Sequence, residues 1–254
     1  MVAGPSALSG EELQRLLELM KGSDSVELKL TIPETQRAKS AAALGVDPLD
    51  AQVRQVFFFD TPDLALNAAG VVVRARRRQG EDGDTVVKLR PVDPAHLPED
   101  LRRDPSFNVE VDAMPGGYVC SASFKGVATN DDIRAAATGG RPIRRLFSKE
   151  QRAFFAEHAP DGIDLDGLSV LGPIPTFRVK FKPEGIERRF VGELWMYPDG
   201  SQIVELSTKT VPDQAFQVAV ECRVLLESRG VDLSAEQQTK TKTALEFFAG
   251  APEG

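Results

Sequence analysis

The sequence predicts an α+β fold, mainly antiparallel β: an eight-stranded barrel around a charged tunnel, with helices on the outside. Three observations predict it. Strand after strand alternates apolar with charged residues, a period of two that gives each strand an apolar and a charged face. The charged faces of the middle strands carry little but Lys and Arg, and like charges side by side repel unless an anion neutralises them. Several amphipathic helices need an apolar surface to cover, which the outside of a closed sheet supplies.

The elements follow in chain order. Ser9 and Glu12 form a capping box for a first helix whose face is Leu13, Leu16, Leu17 and Met20, with Gly22 as its stop. A strand over "SVELKLTI" follows, then a strand through Phe59, a helical turn after Pro62 and a stop at Gly70. "VVVRARRR" and "DTVVKLR" read as a hairpin turning at "QGEDG", and "FNVEVDAMP" as another alternating strand. Residues 113–168 read as a helical insertion within a single domain spanning 1–254, with Ser148 and Gln151 as a second capping box. Strands resume with "TFRVKFKP", "GIERRFVGELWMY" and, across Pro198-Asp199-Gly200, "SQIVELSTK". Two helices close the chain, one after Pro212 and one from Ser234 through Phe248, where Ser234 and Gln237 make a third capping box.

Composition narrows the function. A chain of 254 residues, 41% hydrophobic, is long enough to bury a core. Its 38 acidic residues against 31 Lys and Arg give a net charge of -7, which argues against a general nucleic-acid or membrane-surface binder, so any basic site is local. No run of 18 apolar residues and no secretory leader is read, and the expected location is cytoplasmic. Cys120 and Cys222 form no CxxC, and His96 and His158 lie far apart, so neither a zinc site nor a Ser/His/Asp triad is expected. A metal would have to be held by carboxylates, which favours Mg²⁺ or Mn²⁺.

Alternation then assigns the charged faces. Glu27 and Lys29 oppose Val26, Leu28 and Leu30; Arg74 and Arg76 oppose Val73 and Ala75; Lys88 and Arg90 oppose Val87 and Leu89. Glu110 and Asp112 oppose Val109 and Val111, and Arg178, Lys180 and Lys182 oppose Phe177, Val179 and Phe181. Arg189 and Glu193 oppose Phe190 and Leu194, while Glu205 and Ser207 oppose Val204 and Leu206. A solvated sheet face is the commonest cause of such a pattern. The clustering of like charge instead favours an interior that grips a polyanion, with Arg giving forked contacts to phosphate and Lys a point charge. The acids fit beside phosphate if a divalent cation lies between them.

"VELK", "FFFDTPDLALNAAGVVVRARRR", "VVKLR", "VEVD", "FRVKFK" and "IVELS", in that order, resemble the CYTH superfamily, the triphosphate tunnel metalloenzymes. The resemblance covers most of the chain apart from residues 113–168, and its most specific part runs from Phe57 to Arg76. It implies an eight-stranded antiparallel tunnel that binds triphosphate-containing small molecules or polyphosphate with Mg²⁺ or Mn²⁺. Members include inorganic and thiamine triphosphatases and the class IV-type adenylyl cyclases. The family's Glu-x-Glu-x-Lys pattern falls on Ser25, Glu27 and Lys29, and its C-terminal Glu-x-Glu on Glu205 and Ser207, so one Glu of each pair is replaced. The phosphate grip corresponds to Lys29, Arg74, Arg76, Lys88, Arg90, Arg178 and Lys180, with Arg189 added by alternation, and the metal cage to Glu27, Glu110, Asp112, Glu193 and Glu205. Glu205 and Lys29 are the expected catalytic pair. The expected activity is metal-dependent hydrolysis of a triphosphate; a non-catalytic polyphosphate- or nucleotide-binding module and an adenylyl cyclase are the alternatives.

Overall fold

The computed structural model describes residues 9–233, 237 and 240–250, with side chains to Phe248. Helix α1 (Gly10–Lys21) leads into strand β1 (Ser25–Ile32), followed by α2 (Arg37–Ala43), β2 (Gln52–Asp60) and the short α3 (Ala65–Ala68). Then come β3 (Val71–Arg78), β4 (Glu81–Leu89), α4 (Glu99–Arg102), β5 (Phe107–Met114) and β6 (Gly117–Ala128). Helices α5 (Asn130–Ala137) and α6 (Lys149–His158) precede β7 (Ser169–Phe181), β8 (Phe190–Met196) and β9 (Gln202–Thr210), and α7 (Ala215–Ser228) and α8 (Lys240–Gly250) end the described chain. The strands close in the order β1-β5-β6-β4-β3-β2-β7-β8-β9, with β9 pairing back onto β1.

The barrel corrects the expected count and pairing. It has nine strands, not eight, and it is mixed, because β1 runs parallel to β5. The extra strand is β6, inside the segment expected to be helical, so the helices there begin only at Asn130. Its residues hid it: "VCSASFKG" carries small side chains of weak strand preference. Pro115-Gly116 makes the tight β5–β6 turn, with Gly116 at φ 81°, a conformation that a Cβ would strain.

The outward face of the barrel is apolar and covered by helices, as the alternation requires. Val73, Val87, Val109, Val111 and Phe124 pack with Leu16, Leu19 and Met20 of α1, Ile133 of α5 and Phe154 of α6 in one core. Leu30, Ile32, Phe190 and Leu206 pack with Val218, Cys222 and Leu226 of α7 in a second. Both capping boxes on described residues form. Gln151 also reaches inward, bonding the Thr85 hydroxyl and donating to the Thr85 and Phe124 carbonyls, which ties α6 to β4 and β6. The third box, at Ser234, lies outside the described residues. No helix among the described residues is long and apolar enough to cross a membrane.

Candidate active site: a charged tunnel

Closing the sheet turns the alternation into geometry. Cross-strand partners share a face, and the register sets Ser25 beside Glu110, Glu27 beside Asp112 and Lys209, and Lys29 beside Ser207. Glu193 lies between Arg178 and Glu205, while Arg76 faces Asp84. All these side chains point into the barrel. Its two ends differ. Lys125, Lys180 and Lys209 are exposed at inward positions and mark a basic mouth. At the other end Val56, Phe58, Ile174, Trp195 and Ile203 form an apolar core with Ala244 and Leu245 of α8.

The acids fall into two groups. Glu27, Glu110 and Asp112 bring ligand oxygens within 4.8 Å of one another. Lys29 Nζ lies 2.9 Å from Asp112 Oδ1 and 3.3 Å from Glu27 Oε2, Arg90 lies 3.5 Å from Asp112, and Lys209 pairs with Glu110. Burial works against the charge on Lys29, but Asp112, Glu27 and Glu205 outweigh it and hold its pKa well above the usual lysine range. Asp112 is fully buried, and although burial opposes its charge, Lys29, Lys88 and Arg90 hold its carboxyl below the ordinary value. The two serines that stand where the family has Glu join this group: Ser25 Oγ donates to Glu110 at 3.1 Å and Ser207 Oγ to Glu27 at 3.0 Å. Neither oxygen of Asp112 has a well-directed hydrogen bond, so lone pairs remain on a buried carboxylate among three converging acids. Such a set of hard oxygens fits Mg²⁺ or Mn²⁺.

Glu193 and Glu205 make the second group, around Lys240 of α8. Lys240 Nζ lies 2.9 Å from Glu205 Oε1 and pairs closely with Glu193 Oε2. Glu193 also approaches Arg178 at 3.4 Å and accepts from Trp195 Nε1 at 3.3 Å. Against the cost of burial, Lys240 and Arg76 hold the Glu193 carboxyl far below its ordinary value.

Opposite the acids stands a wall of cations. Arg76 bonds Asp84, an inward acid of β4, at 2.9 Å. Arg74 and Lys88 have no carboxylate within ion-pair distance among the described residues, and Arg74 Nε is buried without a hydrogen bond. Burial and the neighbouring Arg76 push Arg74 down to about 10; burial with Arg76 and Arg178 does the same to Arg54. Guanidinium stays charged at that value, so the shift measures crowding. Burial, only partly offset by Asp112 and reinforced by Lys29, pushes Lys88 down to about 8.

Of the residues expected at the site, Glu27, Lys29, Arg74, Arg76, Lys88, Arg90, Glu110, Asp112, Arg178, Glu193 and Glu205 converge, and Lys180 stands at the mouth. Arg189 does not join them: it is exposed in the loop before β8, where its carbonyl accepts from Thr208, while Arg188 turns outward to Glu221. The bare strand period assigns Arg189 inward, but the loop has already left the sheet there. Arg54, Asp84, Lys125 and Lys209 were missed, and the sequence places Lys240 in solvent or at the tunnel mouth, not inside. Asp84 and Lys209 share parity with Lys88 and Glu205 and were readable from that, whereas Lys125 lies on β6, the strand its sequence hid. Arg54 shares its face with Val56 and Phe58, so its strand gave no alternating signal, and Lys240 comes from a helix.

No protein-family model and no curated protein matches the sequence. Solved structures do match. A Hippeastrum protein assigned as an adenylyl cyclase, and described as having a dominant triphosphatase activity, superposes with a TM-score of 0.65 at 15% identity, over 87% of this chain and 95% of its own. A Bacillus halodurans protein assigned as an adenylate cyclase gives 0.61 at 13% identity, over 87% and 97%. The structural neighbours are CYTH-type proteins, and at these identities the likeness is one of fold: this chain shares their closed β-barrel.

Proposed function

We propose that the tunnel binds a triphosphate-containing small molecule together with Mg²⁺ or Mn²⁺ and hydrolyses its terminal phosphoanhydride bond. The observation that carries this reading is the surplus of inward cations: Arg74 and Lys88 face the tunnel without carboxylate partners among the described residues, a few strands from three converging acids. An empty cluster of like charges is costly, and a chain of phosphates removes the cost. The same class of activity is described for the Hippeastrum neighbour.

Phosphoryl transfer calls mainly for positioning and charge neutralisation. Arg74, Arg76, Lys88, Arg90 and Arg178 would hold the phosphate oxygens, with Lys180 at the mouth. Lys29, fixed between Asp112 and Glu27, would place an ammonium against the oxygens nearest the acids. Glu27, Glu110 and Asp112 would hold the cation, which would supply Lewis-acid polarisation of a phosphate oxygen. Glu205 would orient the attacking water and take its proton as the new P–O bond forms and the bridging P–O bond breaks. The test is orthophosphate release from tripolyphosphate with Mg²⁺ or Mn²⁺. Release that Glu205→Ala abolishes is expected; binding with no release under either ion would refute hydrolysis.

That second outcome would favour a non-catalytic binding module. Its supporting observation is that Ser25 and Ser207 replace two carboxylates and that a lysine pairs with each of Glu27, Glu110, Asp112, Glu193 and Glu205. Formation of cyclic AMP from ATP would instead support a cyclase, the assignment carried by both neighbours.

A further inference from the structure

Glu193 and Glu205 sit directly opposite each other on β8 and β9. Two like charges in that position repel, and a buried pair needs a counter-ion. In this chain the counter-ion is part of the protein. Lys240 Nζ lies between Glu193 Oε2 and Glu205 Oε1, where the two carboxylates converge. Arg178 and Arg54 reach only the other oxygen, Glu193 Oε1, at 3.4 and 3.9 Å.

The lysine is delivered by packing. Ala244 and Leu245, one helical turn on, are 0% and 2% exposed against Phe58, Ile174 and Trp195. Tyr197 donates its hydroxyl to the Lys240 carbonyl at 3.0 Å, and the ammonium lies 5.3 Å from the Trp195 ring centroid. Lys242 shows the contrast: its side chain is 70% exposed and, among the described residues, pairs with Glu246 on its own helix. The buried face of α8, with Tyr197 and Trp195 beside Lys240, therefore holds the lysine over the two acids.

We infer that Lys240 is a tethered substitute for a divalent cation at Glu193 and Glu205, so that the tunnel has room for one exchangeable cation, at Glu27, Glu110 and Asp112. The inference rests on the tunnel reading above, but concerns the second group of acids alone. An ammonium carries one charge where Mg²⁺ or Mn²⁺ carries two, and it accepts no ligand exchange, so this half of the tunnel contributes fixed neutralisation in place of a movable ion.

The test is a titration of the full chain with Mn²⁺ alone, read by electron paramagnetic resonance and calorimetry. Replacing Lys240 with Met is expected to raise the number of bound Mn²⁺ ions by one, and Glu205→Gln in the same chain should remove the added ion. In the unmodified protein, Glu193→Gln with Glu205→Gln should leave the number unchanged. No added ion in Lys240→Met, or loss of an ion in the Glu193→Gln, Glu205→Gln protein, would overturn the inference. If Lys240→Met fails to fold, Lys240→Gln keeps the helix and the stem, and the Glu193/Glu205 double variant decides without touching Lys240. The ion held by Glu27, Glu110 and Asp112 is read separately, by its loss in Glu27→Gln. Its absence would count against the hydrolytic reading and leave the increment on Lys240 replacement as the measure of this one.

Discussion

The two walls of the tunnel are built from the same kind of strand and solve opposite problems. On the β1, β5, β8 and β9 side, each inward acid meets an ammonium: Lys29 serves Glu27 and Asp112, Lys209 serves Glu110, and Lys240 serves Glu193 and Glu205. On the β2, β3 and β4 side, Arg54, Arg74, Arg76 and Lys88 share chiefly Asp84 and the distant edge of Glu193, and three of the four have depressed pKa values. The acidic wall is neutralised from within. The cationic wall is left in excess, and that excess marks where a ligand must bring negative charge.

Four substitutions or titrations break or sharpen this contrast. The largest effect is expected from Lys29→Met, which strands the fully buried Asp112 beside Glu27: removing one partner of a buried pair costs about 3–5 kcal/mol. Chemical denaturation should show a midpoint lowered accordingly, and an unchanged midpoint would mean that the acidic wall does not depend on its lysines. Next comes Arg74→Met, for which the two walls predict opposite signs. Tripolyphosphate affinity should fall by about 30-fold or more, as expected when a buried charge contact worth about 2–5 kcal/mol is lost. The ligand-free protein should meanwhile melt higher, because crowding beside Arg76 is relieved. A lower melting point would show that Arg74 is not in surplus.

The third is a pH effect. Lys88 has a pKa of about 8 in the free protein, and phosphate bound beside it raises that value, so binding takes up a proton. Affinity for tripolyphosphate is then full below about 8 and declines as pH rises through it, by at most about tenfold per pH unit for one proton. Lys88→Met should remove that part of the pH dependence, and an identical profile in the variant would assign the decline to the ligand alone. The smallest is Ser207→Ala, which deletes the 3.0 Å hydrogen bond to Glu27 and should cost about 1–2 kcal/mol in thermal or chemical unfolding. Ser207→Glu sharpens the same point: a carboxylate restored there should tighten Mn²⁺ binding at the first acid group, measured by calorimetry.

Much of the site was legible because a strand's alternation is local. Arg74 and Arg76 point together whatever else the chain does, and so do Glu110 and Asp112. Legibility failed where the pattern broke. Strand β6 was hidden by Ser, Ala and Gly, and Arg54 by the change from polar to apolar along the inward face of β2. Arg189 was misplaced because periodicity does not say where a strand begins. The sequence separated cationic strands from acidic ones, but not which of them become neighbours, and so not which charges pair across the tunnel.

The sequence by itself determined that the charges share faces, that those faces are cationic in the middle strands, and that helices cover the other side, because side-chain direction within one strand follows from backbone geometry alone. Only the tertiary structure decided that nine strands close into a ring, that β1 runs parallel to β5, and that the acids divide into a group of three and a pair. Above all it decided that Lys240, more than thirty residues after Glu205, stands between Glu205 and Glu193. Ion pairing depends on distance in space, and barrel closure together with the packing of α8 sets that distance.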